Sequence, residues 1–301
     1  MRIWCFGSIN HDYVYAVDHM VLPGETILSS RRQVFLGGKG LNQAIALARA
    51  GAKVSLAGAL GEEEDESVLA FLASEGIETK GVEKIPGTLT GHAIIQLDAS
   101  GQNSILLYPG ANHAISKAHR QRALAQGRPG DFLVLQNELN DLEELLEEGF
   151  RRGLRVCLNP SPVTSSLEAL PLERLAYLIL NEAEGAHLTK KQEPQEILEA
   201  LAGRCPNGHI VLTLGERGAL YAHQKERLSQ GAVSVQAVDT TGAGDTFTGY
   251  FLAAVSRGDC VPEALKQSAH AAALAVMRPG AARSIPRAAE VDAFFTEQRR
   301  R

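Results

Sequence analysis

The chain has 301 residues, 45% hydrophobic and 22% charged, the balance of one large α/β unit or a unit with a small appendage. A formal net charge of −5 and a pI near 6.0 argue against nucleic acid or an anionic membrane as the main partner. No apolar run reaches the roughly 18 residues of a membrane span, and MRIWCFGSINHDY at the start lacks an apolar core of signal-peptide length, so a cytoplasmic location is expected.

In chain order, Arg2–Phe6 reads as a strand. Gly40–Ala50 reads as a helix, with Leu41, Ile45 and Ala48 on one face and Gly51 as its stop. A strand over Val54–Ala59 and a helix over Ser67–Ser74, ending at Gly76, follow. The second half repeats this rhythm, with buried strands at Phe132–Gln136, Val156–Asn159, Tyr177–Leu180 and Ile210–Leu214. Between them lie helices over Leu142–Arg151, Glu182–Thr189 and Pro194–Leu201. Apolar strands alternating with helices indicate a mostly parallel sheet covered on both faces. Tyr13–Phe35, with its PGE turn, and Gly91–Tyr108, with its Asp-Ala-Ser-Gly turn, break the rhythm. Both look antiparallel and read as a small sheet standing off the main layers, a candidate lid. The cysteines (Cys5, Cys157, Cys205, Cys260) are scattered without a C-x-x-C pair and read as small buried residues in a reducing compartment.

Ligands of such a sheet gather at the carboxyl ends of its strands. Gly7–Asp12, Gln136–Glu138, Asn181–Glu184 and Thr213–Gly218 all fall there. So does VDTTGAGDTF at 238–247. Gly242, Ala243 and Gly244 can offer backbone N–H groups to an oxyanion at a helix start, which suits a phosphate in transfer. Asp245 would receive the proton of an attacking hydroxyl; phosphoryl transfer has a loose transition state, so orientation matters more than basicity. Taken alone, the stretch better fits a plain N-cap behind a tight turn. FLGGKGLNQA at 35–44 adds glycines that permit close backbone approach, a charge at Lys39 and a two-sided amide at Asn42.

GGKG-x-NQA near the start and VDTTGAGDTF near the end together resemble the ribokinase (PfkB-type) carbohydrate kinases. So do GSINHD at 7–12, PGE at 23–25, PGAN at 109–112, LNPSP at 158–162, NEAE at 181–184, LTLGERG at 212–218 and RPGAARSIP at 278–286. The resemblance spans nearly the whole chain. It implies a three-layer α/β/α ribokinase-like fold, one kinase domain over 1–301, with lid segments at about 13–36 and 90–109. It implies ATP-dependent phosphorylation of the primary hydroxyl of a furanose sugar, D-ribose first. A nucleoside, fructose or a modified ketose is the alternative substrate, and a non-catalytic sugar-binding protein a further one.

Carried over position by position, Asn10 and Asp12 would hydrogen-bond sugar hydroxyls, and Gly38, Lys39 and Asn42 would close over the same sugar. Glu138 would be an acidic sugar contact. Asp245 would be the base and Gly242–Gly244 the anion hole. Asn181 and Glu184 would organise Mg2+ and the nucleotide phosphates, Glu184 acting through water. Thr213, Gly215, Glu216 and Gly218 would face the nucleotide, as would Gly244. Asp239, with main-chain oxygens of Thr241, Ala275, Arg278 and Gly280 and the Ser284 hydroxyl, would hold K+. A homodimer through the lid is expected from its exposed edges and apolar face. Two stretches depart from the family pattern. GEEEDES at 61–67 is acidic and one residue short, and the spacing around Ser268–Ala273 slips by one, leaving the adenine-side contact open between Ala269 and His270. His11 lies near the sugar side.

Overall fold

The computed structural model describes residues 1–64, 66–99 and 101–298. Asp65 of the acidic loop and Ser100 of the Asp-Ala-Ser-Gly turn lie outside the described residues.

Runs apolar at every position, such as FLVL from Phe132, need cover on both faces, and a parallel sheet between helices provides it. The strands are β1 (Ile3–Phe6), β2 (Asn10–Ala16), β3 (Arg31–Gly37), β4 (Val54–Gly61), β5 (Glu78–Ile85), β6 (Gly91–Leu97) and β7 (Asn103–Tyr108). They continue with β8 (Phe132–Gln136), β9 (Arg155–Asn159), β10 (Tyr177–Asn181), β11 (His209–Thr213), β12 (Ala219–His223) and β13 (Glu226–Gln230). Nine of them form one sheet in the order β13-β12-β11-β10-β9-β8-β1-β4-β5. Neighbours run parallel from β5 to β11, and only β12 runs against the rest.

The helices are α1 (Lys39–Arg49), α2 (Ser67–Ser74), α3 (Lys117–Ala123), α4 (Leu142–Arg151), α5 (Glu182–Thr189), α6 (Pro194–Arg204), α7 (Ala243–Arg257), α8 (Val261–Val276) and α9 (Ala288–Gln298). The period of two along each strand divides the core. Ile3, Cys5 and Val134 pack with Leu41 and Ile45 of α1, Phe251 of α7 and Leu265 of α8. Trp4, Phe6 and Leu135 pack on the other face with Leu145 of α4 and Ile197 and Leu201 of α6. This is the expected α/β/α layering. Cys5, Cys157 and Cys205 are buried as expected, whereas Cys260, just ahead of α8, is exposed.

The second sheet has the order β3-β2-β6-β7. Each of its two hairpins is antiparallel, but they join through a parallel β2–β6 pair, which corrects the wholly antiparallel reading. The reason is topological: both β2 and β6 leave the carboxyl edge of the main sheet in the same direction. Ile105 and Leu106 on β7 are 57% and 68% exposed, so this sheet keeps an uncovered apolar surface.

Candidate active site

The order in which strands are added reverses around β1: β4 and β5 follow on one side of it, while β8 to β11 build out on the other. The crevice at that switch point is where an α/β sheet binds ligands. Two glycines let the chain close over it. A Cβ on Gly40 would stand 2.3 Å from the carbonyl carbon of Gly7, so the start of α1 can meet the end of β1 only without that side chain. Gly38, at φ +89°, takes a conformation that side chains rarely adopt, and its missing Cβ would crowd the Ser8 carbonyl.

Helix α7 approaches α1 just as closely. A Cβ on Gly249 would stand 2.3 Å from the Ala46 methyl. Gly249 and Asp245 are one turn apart on α7, as Ala46 and Asn42 are on α1, so this contact aligns the helix starts. Asn42 Nδ2 donates to Asp245 Oδ2 at 3.0 Å and Gln43 Nε2 donates to Oδ1 at 2.9 Å. Asp245 is thereby buried with both carboxylate oxygens held. Gly242, at φ +75°, turns the chain into α7. The first helical bond runs from Thr246 N to Gly242 O, and the Ala243 N–H returns to the Thr240 carbonyl at 3.2 Å. Ala243 is therefore not the free donor the turn suggested. The N–H groups of Gly244 and Asp245 are the ones ahead of the ladder, at the positive helix end. A Cβ at Gly244 would meet only open space.

On one side of Asp245 the residues expected to face a sugar converge. Asn10 is buried, and its Oδ1 accepts from Asn112 Nδ2 at 2.7 Å. Glu138 Oε2 accepts from the Lys39 backbone N–H at 3.0 Å and from the Ser8 hydroxyl. Burial pushes the Asp12 carboxyl up to about 6, with the Glu138 charge adding to the rise. Glu138 is likewise raised, first by burial, although Lys39 opposes this. Burial pulls the Lys39 ammonium down, but the charges of Asp245, Glu138 and Glu184 outweigh it and its pKa is raised. The buried Asn42 Oδ1 has no hydrogen-bond partner among the described residues.

On the other side of the Gly244 turn lies a cavity of about 490 Å3, lined in part by Thr213, Gly215, Glu216, Gly218, Ala243 and Gly244. Ala269, Ala272 and Ala273 of α8 form its apolar wall. His270 turns away, donating from Nδ1 to the Lys266 carbonyl at 2.8 Å and packing edge-on against Phe294. Asn181 and Glu184 make a reciprocal capping box at the start of α5, with both bonds at 2.9 Å. Asn181 lines an adjoining hollow with Thr213 and Gly215.

The profile of the pfkB family of carbohydrate kinases matches residues 1–288. The chain belongs to this family. Among carbohydrate kinases it is 35% identical to the ribokinase of Haemophilus influenzae, over 96% of each chain. It superposes on the Cryptococcus neoformans ribokinase in complex with ADP with a TM-score of 0.84, at 34% identity over 97% of this chain and 99% of that one. The Arabidopsis thaliana ribokinase complexed with ribose and ATP gives a TM-score of 0.83, at 29% identity over 97% of both.

Read as a carbohydrate kinase, the molecule uses residues that the motifs left unweighted. Ser8 seats Glu138, Asn112 of PGAN seats Asn10, and Gln43, Gln136 and Asn159 line up behind Asp245. Their signal was only that a polar residue stood where a buried one was expected. Asp239 Oδ1 accepts from Thr241 N at 2.9 Å and Oδ2 from Gly280 N at 2.8 Å, which brings the two backbone segments expected to hold K+ together. The Ala275 carbonyl accepts from Arg278 N, the Arg278 side chain goes to Glu290, and Ser284 Oγ donates to the Ala281 carbonyl. The divergent acidic loop docks on the small sheet: Glu64 pairs with His11 Nε2 at 2.6 Å and accepts from Thr90 Oγ1 at 3.1 Å.

Proposed function

We propose that this carbohydrate kinase transfers the γ-phosphoryl group of ATP to the primary hydroxyl of a furanose, with D-ribose giving ribose 5-phosphate. The observation that carries this reading is the seat of Asp245, at the N-terminus of α7, between the converging polar groups and the 490 Å3 cavity. Asn10, Asp12, Lys39, Asn42 and Glu138 offer donors and acceptors matched to several adjacent hydroxyls, while an apolar alanine wall suits a base. In the step itself, the hydroxyl oxygen bonds to the γ-phosphorus as the bond to the bridging oxygen breaks and ADP leaves. Asp245 takes the proton, and the N–H groups of Gly244 and Asp245 face the transferring oxygens.

Among the described residues no cluster of three or more His, Cys, Asp or Glu gathers to hold a metal. That donor set fits a Mg2+ carried mainly by phosphates and water, with Glu184 and Asn181 orienting its shell. The Asp239 turn fits a K+ ion held by main-chain oxygens of Thr241, Ala275, Arg278 and Gly280 with Ser284; when bound, it would add positive potential beside the anion hole. The chain would act as a single catalytic unit in which the small sheet, 13–36 and 90–109, closes over the sugar and excludes water. The exposed β7 face fits pairing of two such lids into a homodimer. Among the described residues no helix is long and apolar enough to cross a membrane, in keeping with work in the cytoplasm.

ADP release on a panel of pentoses, fructose and nucleosides, with and without K+, tests the reading. Turnover of ribose well above the others supports it. Turnover of a nucleoside with none of ribose overturns the substrate, and no turnover on any acceptor overturns the reaction.

A further inference from the structure

Gln43 is fully buried and is not part of the lining of the cavity beside the Gly244 turn. Its Nε2 donates to Asp245 Oδ1 at 2.9 Å and to Asn159 Oδ1 at 3.1 Å, while its Oε1 accepts from Gln136 Nε2 at 2.7 Å. Asn159, the last residue of β9, donates from Nδ2 to the Ile179 carbonyl on β10 at 2.9 Å. A carbonyl only accepts, so this bond fixes which way the Asn159 amide faces. Its oxygen must then point at Gln43, and the amino group of Gln43 must point at Asn159 and Asp245. Turned the other way, Gln43 would set its oxygen against two acceptors and its amino group against that of Gln136. The chain of amides has one polarity, set by the backbone of the sheet. Gly7 leaves it room: a Cβ there would stand 2.0 Å from Gln136 Oε1.

We propose that Gln43 is a positioning residue for phosphoryl transfer, holding the Asp245 carboxylate in a fixed rotation as an acceptor through the Ile179–Asn159–Gln43 relay. This rests on the function proposed above only in assigning Asp245 as the base. Asn42 supplies the second bond to Asp245 from the ligand side, whereas Gln43 supplies one that no substrate can displace. Lys39, Glu138 and Asp12 are the charged groups that share this environment.

The test compares Gln43→Leu, Gln43→Glu, Asn159→Leu and the double Leu variant, with the acceptor that the wild type turns over best. Expected for Gln43→Leu is a kcat loss of about 10- to 100-fold with KM for the acceptor changed less than about threefold. Gln43→Glu, which keeps shape but sets a carboxyl against Asp245, should move the acid limb of the kcat profile to higher pH. Asn159→Leu should cost kcat alone and add nothing to Gln43→Leu, because one acts through the other. Equal kcat in Gln43→Leu and wild type, or independent multiplicative losses, would overturn the relay. Where Gln43→Leu folds poorly, the isosteric Gln43→Glu decides. Should the wild type turn over no acceptor, the proposed function fails. The relay is then read by carboxylate 13C titration of Asp245, its signal assigned by loss in Asp245→Asn: a midpoint unchanged in Gln43→Leu rejects it.

Discussion

The two edges of the main sheet are built from the same strands and have opposite characters. At the carboxyl edge, Asp12, Glu138 and Asp245 crowd together, the first two with pKa values raised by burial, and glycines at 38, 40 and 249 permit approaches that side chains would block. At the amino edge Phe132, Tyr177 and His209 open β8, β10 and β11 and His223 ends the antiparallel β12, so rings meet there. Tyr177 lies on His209 at 4.6 Å between centroids, His209 on His223 at 3.9 Å, and Arg155 caps Phe132 and Tyr177. One edge stores electrostatic cost that a cationic or hydroxyl-rich ligand relieves; the other spends its polar groups on each other. The difference predicts that removing a charge at the carboxyl edge costs activity and can raise stability, while removing one at the amino edge changes stability with pH and leaves activity alone.

The largest effect should come from Asp245→Asn, which keeps the shape and removes the proton acceptor. A kcat loss of about 10²- to 10⁴-fold is expected, with thermal unfolding little changed. Steady-state ADP release and a melting curve on the same sample check both halves. Gly249→Val comes next. Its Cβ would overlap Ala46 and press on the Leu47 amide, so α7 must move away from α1. About 3 kcal/mol of destabilisation is expected from the overpacking, together with a kcat loss because Asp245 travels with the helix. Denaturant unfolding against Gly203→Val, at a helical glycine with open space around it, isolates the contact.

Asp12→Asn should separate the two properties most sharply. Its folded pKa is raised from 3.8 to about 6, so protonation favours the folded state and that contribution is lost as pH rises through about 6. At pH 7.5 the native protein holds an unfavourable carboxylate. Removing the charge should stabilise the ligand-free protein by on the order of 2 kcal/mol at pH 7.5 and far less at pH 4, while weakening sugar binding. Equal stabilisation at both pH values would show that packing, not charge, is responsible.

How much of this was legible in the sequence follows from the range of each interaction. Helix α1 starts one residue from its expected place because its glycines, periodicity and Gly51 stop are all local. Motif order, which needs no coordinates, picked out Asp245 and several residues that line the cavity beside it. The parallel β2–β6 pair was invisible, because strand direction between distant hairpins is set by where each leaves the main sheet. The contact of Asp245 with Gln43 was hidden for a similar reason: the two lie 202 positions apart and meet only through the fold. The choice between Ala269 and His270 was one of helical phase: His270 packs against α9 and Ala269 lines the cavity.

The smallest expected effect belongs to the amino edge and has the opposite sign with pH. Burial depresses His209 from 6.5 to about 4, with His223 and Arg155 adding repulsion. A depressed pKa means that the unfolded chain takes up the proton first, so stability is intact above about 6.5 and drains as pH falls toward 4. Tyr221 meets His209 Nδ1 at 2.6 Å and Tyr177 covers its ring, and among the described residues no carboxylate pairs with the imidazole to favour the charge. His209→Phe keeps the stack and removes the titration. The lost Tyr221 bond costs the same at both pH values, so the titration is read as a difference. Because His209 is partly exposed and screened, the variant should gain about 1 kcal/mol on the wild type between pH 7.5 and pH 5. Its kcat at neutral pH should match the wild type, since the ring sits at the opposite end of β11 from Thr213. A variant that gained nothing on the wild type between pH 7.5 and pH 5, or that lost turnover at pH 7.5, would mean that the two edges are not separable and that the stack supports the catalytic end through the strands themselves.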